Sequence, residues 1–167
     1  DITRPLPADM PDFAFIIHAA SIASPIYYRR CPIETMDANV NGLRSLLDYC
    51  LTRQGSTAGP VEGFLFFSTS EIYGDPTPDA IPTPETYRGL VSCTGPRACY
   101  DESKRYGETL CVNFAQQHGV PVKMARPFNN IGPGLKITDR RVLPDFARDV
   151  LAGRDIVMLS DGGPKRT

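Results

Sequence analysis

A tyrosine and a lysine four residues apart, Tyr100 and Lys104, form the first pair in this sequence whose spacing points to chemistry. If the segment is helical, both side chains lie on one face, one turn apart. A lysine ammonium beside a phenol stabilises the phenolate, so the pair predicts a Tyr100 pKa lowered from about 10 toward neutrality. Tyr100 would then serve as a general base for an alcohol proton. Because such pairs also occur on many solvated helix faces, this pair alone does not assign a function.

Two polar runs stand where predicted strands end. Hydroxyl groups and a carboxylate at 68–71 follow the apolar run 63–68, and the polar run 126–133 follows the apolar run 120–126. In open α/β sheets the ligand crevice lies outside the carboxyl ends of the strands. Each run by itself is also compatible with a turn whose hydroxyls bond backbone groups. Taken together with Tyr100, the two runs predict one polar site at this edge of the sheet.

The elements that must position these residues follow from hydrophobic periodicity. Three short apolar runs predict strands buried on both faces of a parallel sheet, namely residues 13–18, 63–68 and 120–126. Segments with helical spacing are found at residues 32–53, 96–118 and 141–151, and a short last strand is predicted at 156–159. This alternation predicts an α/β fold, a Rossmann-like doubly wound parallel sheet with right-handed connections. The proline-rich segment 75–95 predicts a binding loop or lid.

Composition argues against several classes of function. Lys and Arg total 18 against 19 Asp and Glu, so the net charge of −1 provides no positive field for nucleic acid. The longest apolar run, Phe13 to Ile17, is far shorter than the roughly 20 residues that span a bilayer. Five cysteines without a close pair argue against a disulfide framework and a zinc ribbon. We therefore expect a cytoplasmic protein with no nucleic-acid, membrane or metal partner.

Five motifs span nearly the whole chain. They are His18-Ala19-Ala20, Asn39-Val40-Asn41-Gly42, Ser68 to Gly74, Tyr100-Asp101-Glu102-Ser103-Lys104 and Arg126 to Pro133. In this order and spacing they resemble the extended short-chain dehydrogenase/reductases that modify nucleotide sugars, the NAD-dependent epimerase/dehydratase family. Within this family, the run from Gly95 to Lys104 and the triplet Thr69-Ser70-Glu71 most closely resemble the UDP-glucuronate decarboxylases.

The resemblance implies a tightly held NAD and a nucleotide-sugar substrate, expected to be a UDP-sugar. It implies catalytic roles for Tyr100, Lys104, Thr69, Glu71 and Ser70. It also implies cofactor contacts from Asp1, Ile2, Ala19, Ala20, Ser68, Tyr100, Lys104 and Phe128, and substrate contacts from Asn129 and Arg166. His18 is expected to pack or to line the cofactor rather than to act as a base.

The fold class implied by the resemblance normally opens with a strand, a glycine-rich turn and a helix whose N-terminus holds the pyrophosphate. No strand precedes such a glycine run in this sequence. We therefore expect an incomplete fold, without the N-terminal glycine-rich βαβ unit and part of the C-terminal substrate domain. Residues 1–135 are expected to be the central and C-terminal part of the NAD-binding domain, and residues 136–167 the start of the nucleotide-sugar-binding region.

The resemblance also predicts assembly. Family members commonly dimerise through the helices predicted here at 32–53 and 96–118. Because Leu43, Leu47 and Leu110 are not all expected to face the sheet, a second apolar surface and a homodimer are predicted.

Three activities remain open at this point. Decarboxylation of UDP-glucuronate through a 4-keto intermediate is favoured, because 4,6-dehydratases carry an Asp where this chain has Ser70 and 4-epimerases lack the carboxylate of Glu71. A 4,6-dehydratase or 4-epimerase activity is the alternative. A third possibility is an inactive fragment that only pairs with other chains.

Overall fold

A parallel three-stranded sheet organises the chain in the computed structural model, which describes residues 1–158 and 161. The strands are β1 (Phe15–His18), β2 (Gly63–Phe67) and β3 (Val122–Ala125), and they lie in the order β1-β2-β3. Leu65 at the centre of β2 pairs with Ile17 on one side and Lys123 on the other. The predicted Rossmann-like parallel α/β arrangement is thereby confirmed, and its strand ends meet at one edge.

Five α-helices are described between and after the strands. They are α1 (Pro25–Arg30), α2 (Pro32–Met36), α3 (Gly42–Arg53), α4 (Ala98–His118) and α5 (Val142–Leu151). Short 3₁₀ turns cover Ser70–Tyr73 and Pro78–Ala80. The helix α4 is capped by Gly119, whose φ of 68° is the left-handed conformation that glycine adopts most readily.

The helical segment predicted at 32–53 is interrupted by a π-helical turn, Asp37–Asn41, between α2 and α3. Pro32 occupies the first turn of α2, where its missing N–H leaves no hydrogen bond unmade. The π turn holds Asn39, which is completely buried and donates from Nδ2 to Ser103 Oγ on α4, 2.8 Å away. The turn thus joins the first helical layer to the helix that carries Tyr100.

The core lies between β2, α3 and α4. Its buried members are Leu43, Leu47, Cys50, Val61, Phe64, Phe66, Cys111, Phe114 and Val120. Leu43 and Leu47 are both fully buried, and Leu110 packs against the same cluster. The argument that these leucines require a second apolar surface is therefore wrong, because α3 and α4 turn all three toward one core.

None of the three described strands is buried on both faces as predicted; the central strand β2 comes nearest, because its residues alternate between buried and half-buried. In β1, Phe15 and Ile17 are 68% and 66% exposed, whereas His18 is 2% exposed. Successive side chains of a strand point to opposite faces, and α3 and α4 cover the face that His18 occupies. The opposite face of β1 is open in the part of the chain that the structure describes.

One further prediction, the short strand at 156–159, is wrong for its described residues. Residues 156–158 form no strand and are about half to two-thirds exposed, because they pair with none of β1, β2 and β3. Leu159 lies outside the described residues. The role of the segment 75–95 as a binding loop or lid stays a prediction, and the structure shows this segment tied to α4 and to the residue after β3. Its ties are hydrogen bonds from Arg105 to the Arg88 carbonyl and from Arg126 to the Glu85 carbonyl. Among the described residues no helix is long and apolar enough to cross a membrane.

Candidate functional site

A cavity of about 580 Å³ opens at the carboxyl ends of β2 and β3. Its wall includes seven of the residues singled out in the sequence, namely Ser68, Thr69, Ser70, Glu71, Tyr100, Phe128 and Asn129. Residues from the ends of two strands and from α4 therefore converge, as expected where parallel strands end at one edge.

The end of β2 is shaped by Thr69, which caps the 3₁₀ turn Ser70–Tyr73. Its hydroxyl oxygen accepts a hydrogen bond from the Glu71 backbone N–H at 3.3 Å. The turn reverses the chain immediately after the strand, so that Ser70 and Glu71 stay at the cavity wall instead of continuing the sheet.

Tyr100 lies in the first turn of α4 and is 7% exposed. Burial raises the pKa of its phenol, and the negative charges of Glu71 and Asp101 raise it further. A hydrogen bond with Thr69 and the positive charge of Arg97 act in the opposite direction but do not compensate. The prediction of a lowered Tyr100 pKa is therefore wrong for the protein alone, because desolvation outweighs the neighbouring positive charge.

Lys104 lies one turn after Tyr100, and its ammonium makes its hydrogen bond to the sheet rather than to the phenol oxygen. Its Nζ donates to the Phe67 carbonyl oxygen at 2.6 Å and lies 5.9 Å from the centre of the Tyr100 ring. The side chain is 2% exposed, and burial lowers the pKa of Lys104 to about 8. Lys104 thus joins α4 to the last residue of β2.

Two residues of the site carried no interpretable signal in the sequence. The Tyr28 ring of α1 stacks on the Tyr100 ring with centroids 5.2 Å apart and planes at 11°. Arg97, which precedes α4, forms an ion pair with Glu71 and lies 3.5 Å from Asp101. The four-residue spacing of Arg97 and Asp101 is visible in the sequence, but the ion pair across the cavity depends on the tertiary fold.

Four other residues with predicted roles lie outside this cavity. Asp1 is exposed and accepts hydrogen bonds from Thr3, while the Ile2 side chain packs over Gly42. Ala19 and Ala20 are exposed in the segment that follows the carboxyl end of β1. Arg166 lies outside the described residues.

The cavity wall contains a buried polar atom without a protein partner. The hydroxyl of Ser68 is buried and makes no hydrogen bond to the described residues. Buried polar atoms are normally paired, so such atoms at a cavity suit a bound ligand or water. Clusters of three or more His, Cys, Asp or Glu side chains that could hold a metal ion are absent from the described part of the chain.

Comparison with known proteins gives consistent results. The sequence pattern of the NAD dependent epimerase/dehydratase family matches residues 3–167. UDP-glucuronic acid decarboxylase 5 of Arabidopsis thaliana is 38% identical over 167 residues, which are 100% of this chain and 46% of that protein. The chain thus spans about half the length of this relative.

Solved structures agree with this result. The UDP-glucose 4-epimerase of Thermotoga maritima, solved with UDP-glucose, superposes with a TM-score of 0.75 at 26% identity, covering 89% of this chain and 45% of the other. The UDP-glucose 4-epimerase of Thermus thermophilus, solved with NAD, gives a TM-score of 0.70 at 27% identity, covering 86% and 43%.

Proposed function

Because this chain belongs to the NAD dependent epimerase/dehydratase family, we propose that its protein uses NAD to decarboxylate UDP-glucuronate through a 4-keto intermediate. The observation that carries the proposal is the convergence of Thr69, Glu71 and Tyr100 on one cavity wall, with Ser70 between the first two. The similarity to a UDP-glucuronic acid decarboxylase supports the choice of substrate.

The residues of the cavity fit a nicotinamide cofactor. The unpaired Ser68 hydroxyl offers a polar partner, and Phe67, Pro127 and Phe128 supply apolar wall for a flat ring. NAD, when bound, supplies the chemistry of accepting a hydride from the sugar and returning it. Tyr100 and Lys104 of α4 are proposed to contact the cofactor. Further proposed contacts come from the N-terminal segment and from the residues that follow β1, namely Asp1, Ile2, Ala19 and Ala20.

Tyr100 is the proposed acid and base at the sugar O4. As phenolate it takes the O4 proton while hydride leaves C4, and as phenol it returns that proton when the hydride comes back. Thr69, which is hydrogen-bonded with Tyr100, is proposed to bond the same oxygen. Since burial opposes the phenolate, the positive charges around the ring decide how readily Tyr100 serves as base.

Glu71 and Ser70 are proposed to act beside C5 and the C6 carboxylate of the sugar. Oxidation at C4 converts the sugar acid into a β-keto acid, in which the C5–C6 bonding pair passes to the enolate as CO₂ leaves. A proton then adds to C5, and Glu71 is proposed either to serve this proton transfer or to orient the ring. Ser70 provides no acid for departing water, and the reaction requires none. Asn129, and Arg166 beyond the described residues, are proposed to bind the nucleotide sugar.

A 4-epimerase is the second candidate, favoured by the superposition on two UDP-glucose 4-epimerases. Such an enzyme would use the same Tyr100 and Thr69 chemistry at C4 but would release no CO₂. A 4,6-dehydratase lacks support of this kind and is opposed by Ser70.

The domain organisation, the cellular location and the assembly of the protein are also proposals. We infer that residues 1–135 belong to the NAD-binding domain, that residues 136–167 begin the sugar-nucleotide region, and that the protein acts in the cytoplasm. A homodimer is proposed on the apolar side chains that α2 and α4 leave exposed, Ile33, Met36, Tyr106 and Val112. Light scattering at micromolar concentration tests this assembly, and a monomeric mass would overturn it.

The reaction itself is tested with the full-length protein, UDP-glucuronate and catalytic NAD. Release of CO₂ together with a UDP-pentose or its 4-keto precursor is expected. Formation of UDP-galacturonate without CO₂ would identify a 4-epimerase and would remove Glu71 from the proposal. No conversion of any nucleotide sugar by a folded full-length protein would favour a role limited to pairing with other chains.

A further inference from the structure

Arg97 is a charged residue of the cavity wall to which no motif of the sequence gave a role. Its guanidinium pairs with Glu71 of the strand-end turn and lies 3.5 Å from Asp101, one turn along α4. The Glu71 and Asp101 side chains are only 17% and 11% exposed. The Arg97 guanidinium therefore joins the turn after β2 to the beginning of α4.

We propose that Arg97 is a positioning residue that holds the Glu71 carboxylate on the cavity wall and sets the electrostatic surroundings of Tyr100. The proposal rests on the proposed function for the meaning of Tyr100 and Glu71. It adds a residue that acts on the reaction through both of them and touches no reacting atom.

The need for such a residue follows from the charges on this wall. Two largely buried carboxylates, Glu71 and Asp101, lie near the start of α4, and a third would arrive with a sugar acid. Like charges at short distance raise each other's proton affinity and oppose a neighbouring phenolate. Arg97 offsets both resident carboxylates, and its pairing keeps Glu71 in one place rather than free to turn toward water.

Every element packed against Tyr100 contributes to its electrostatic environment. The polar and charged groups are Thr69 and Glu71 from the strand end, Tyr28 from α1, Arg97 before α4, Asp101 and Lys104 from α4, and Arg141 before α5. The Lys104 ammonium donates a hydrogen bond to the Phe67 carbonyl oxygen, whereas the Arg97 charge lowers the pKa of Tyr100. Loss of Arg97 would remove that effect and leave the opposing effect of Glu71 uncompensated.

Direct binding of a substrate anion is the competing role for Arg97. The geometry disfavours it, because the guanidinium already meets two carboxylates and has no excess positive charge to offer. A residue that bound the sugar carboxylate would change KM more than kcat, whereas a residue that positions Glu71 and Tyr100 would change kcat and its pH dependence.

The proposal is tested first on the full-length protein without substrate. Tyrosine labelled with ¹³C at Cζ reports the phenol titration by NMR, and Tyr100→Phe assigns the Tyr100 signal. Arg97→Gln is expected to move the Tyr100 midpoint upward by about 1 pH unit, the effect of a close opposite charge. Arg97→Lys should restore part of the shift. Arg105→Gln is the matched control, since Arg105 also lies on α4 but donates to the Ile72 and Arg88 carbonyls outside the cavity.

Kinetics give a second readout. Arg97→Gln is expected to lower kcat at neutral pH and to move the rising limb of the pH profile upward, with a smaller change in KM. An unchanged Tyr100 titration, or a raised KM with unchanged kcat, would overturn the proposal. Should Arg97→Gln fail to fold, Arg97→Lys replaces it, because it should still move the Tyr100 midpoint upward by part of that shift, and an unmoved midpoint would contradict the proposal. Absence of CO₂ release by the unaltered protein would reject the proposed reaction, while the titration would still decide the role of Arg97.

Discussion

Lys104 donates a hydrogen bond from its buried ammonium to the carbonyl oxygen of Phe67, 2.6 Å away. The contact fixes α4 against the end of β2 and so sets the position of Tyr100 relative to Thr69. It also places an ammonium group where little water reaches it, since the side chain is 2% exposed. Burial lowers the pKa of Lys104 from 10.5 to about 8.

The burial of Lys104 predicts that the free energy of unfolding changes with pH in the alkaline range. Between pH 8 and 10.5 the folded state binds fewer protons than the unfolded state at Lys104, so the free energy of unfolding should rise with pH over this range. The contribution is on the order of 3 kcal/mol across the full range. Urea unfolding followed by circular dichroism measures this contribution. As the pH rises, the free energy of unfolding of the unaltered protein should increase relative to that of Lys104→Met. Lys123→Met, at an exposed position of β3, is the control, and a difference that stays flat with pH would contradict the prediction.

His18 predicts a second pH dependence, at the acidic side. Its ring stacks on Phe66 at 5.8 Å and is 2% exposed, and burial together with the nearby Lys104 charge lowers the pKa of His18 to about 4. The stability that depends on a neutral ring is present above pH 6.5 and is lost as the pH falls through about 4. His18→Phe keeps the stacking without the titration, so its stability should fall less between pH 6.5 and 4. Replacing the exposed His118 by Gln should leave the loss unchanged, and equal losses in all three proteins would exclude His18 as the cause.

The fold was largely predictable because its signals are local. The apolar run of β2 and the leucine spacing of α3 report periodicity directly, and both elements appear where expected. The wrong prediction at 156–158 has the opposite origin, since a short apolar run forms a strand only when a partner strand lies beside it. The π turn at Asp37–Asn41 shows the same limit, because it accommodates the buried contact of Asn39 with a residue far along the chain.

The candidate site was predictable as a set of residues but not as an electrostatic arrangement. The spacing of Tyr100 and Lys104 correctly predicted one helix with both residues on it, yet the expected lowering of the Tyr100 pKa is wrong. Spacing does not reveal that Lys104 reaches a carbonyl of β2 or that Glu71 faces the phenol. Charges that meet only in the tertiary structure determine the proton affinity, and a motif does not carry that information.

The role of Tyr100 is tested by removing one oxygen atom. Tyr100→Phe in the full-length protein is expected to lower turnover by about two to four orders of magnitude, the usual contribution of a general base. NAD binding, measured by calorimetry, should stay nearly unchanged because the stacking on Tyr28 needs only the ring. Tyr106→Phe, at an exposed position of the same helix, should retain full turnover. More than about a tenth of the original rate in Tyr100→Phe would exclude Tyr100 as the proposed base.

Gly107 lies where α4 approaches the sheet closely, so that there is no room for a side chain. A Cβ atom at this position would lie 2.6 Å from Phe66 Cζ and 3.2 Å from Leu43 Cδ2, both in the fully buried core. Gly107→Ala should therefore force apart α4, α3 and β2 and destabilise the protein by about 1–3 kcal/mol, as overpacked cores do. Gly55→Ala adds the same methyl group where nothing lies within 4 Å, and it should leave the midpoint of urea unfolding nearly unchanged. Because the shift would also move Lys104 away from the Phe67 carbonyl, the alkaline rise in stability should weaken in Gly107→Ala alone. Equal unfolding midpoints for the two alanine variants would show that the contact between α4 and β2 is looser than the structure indicates.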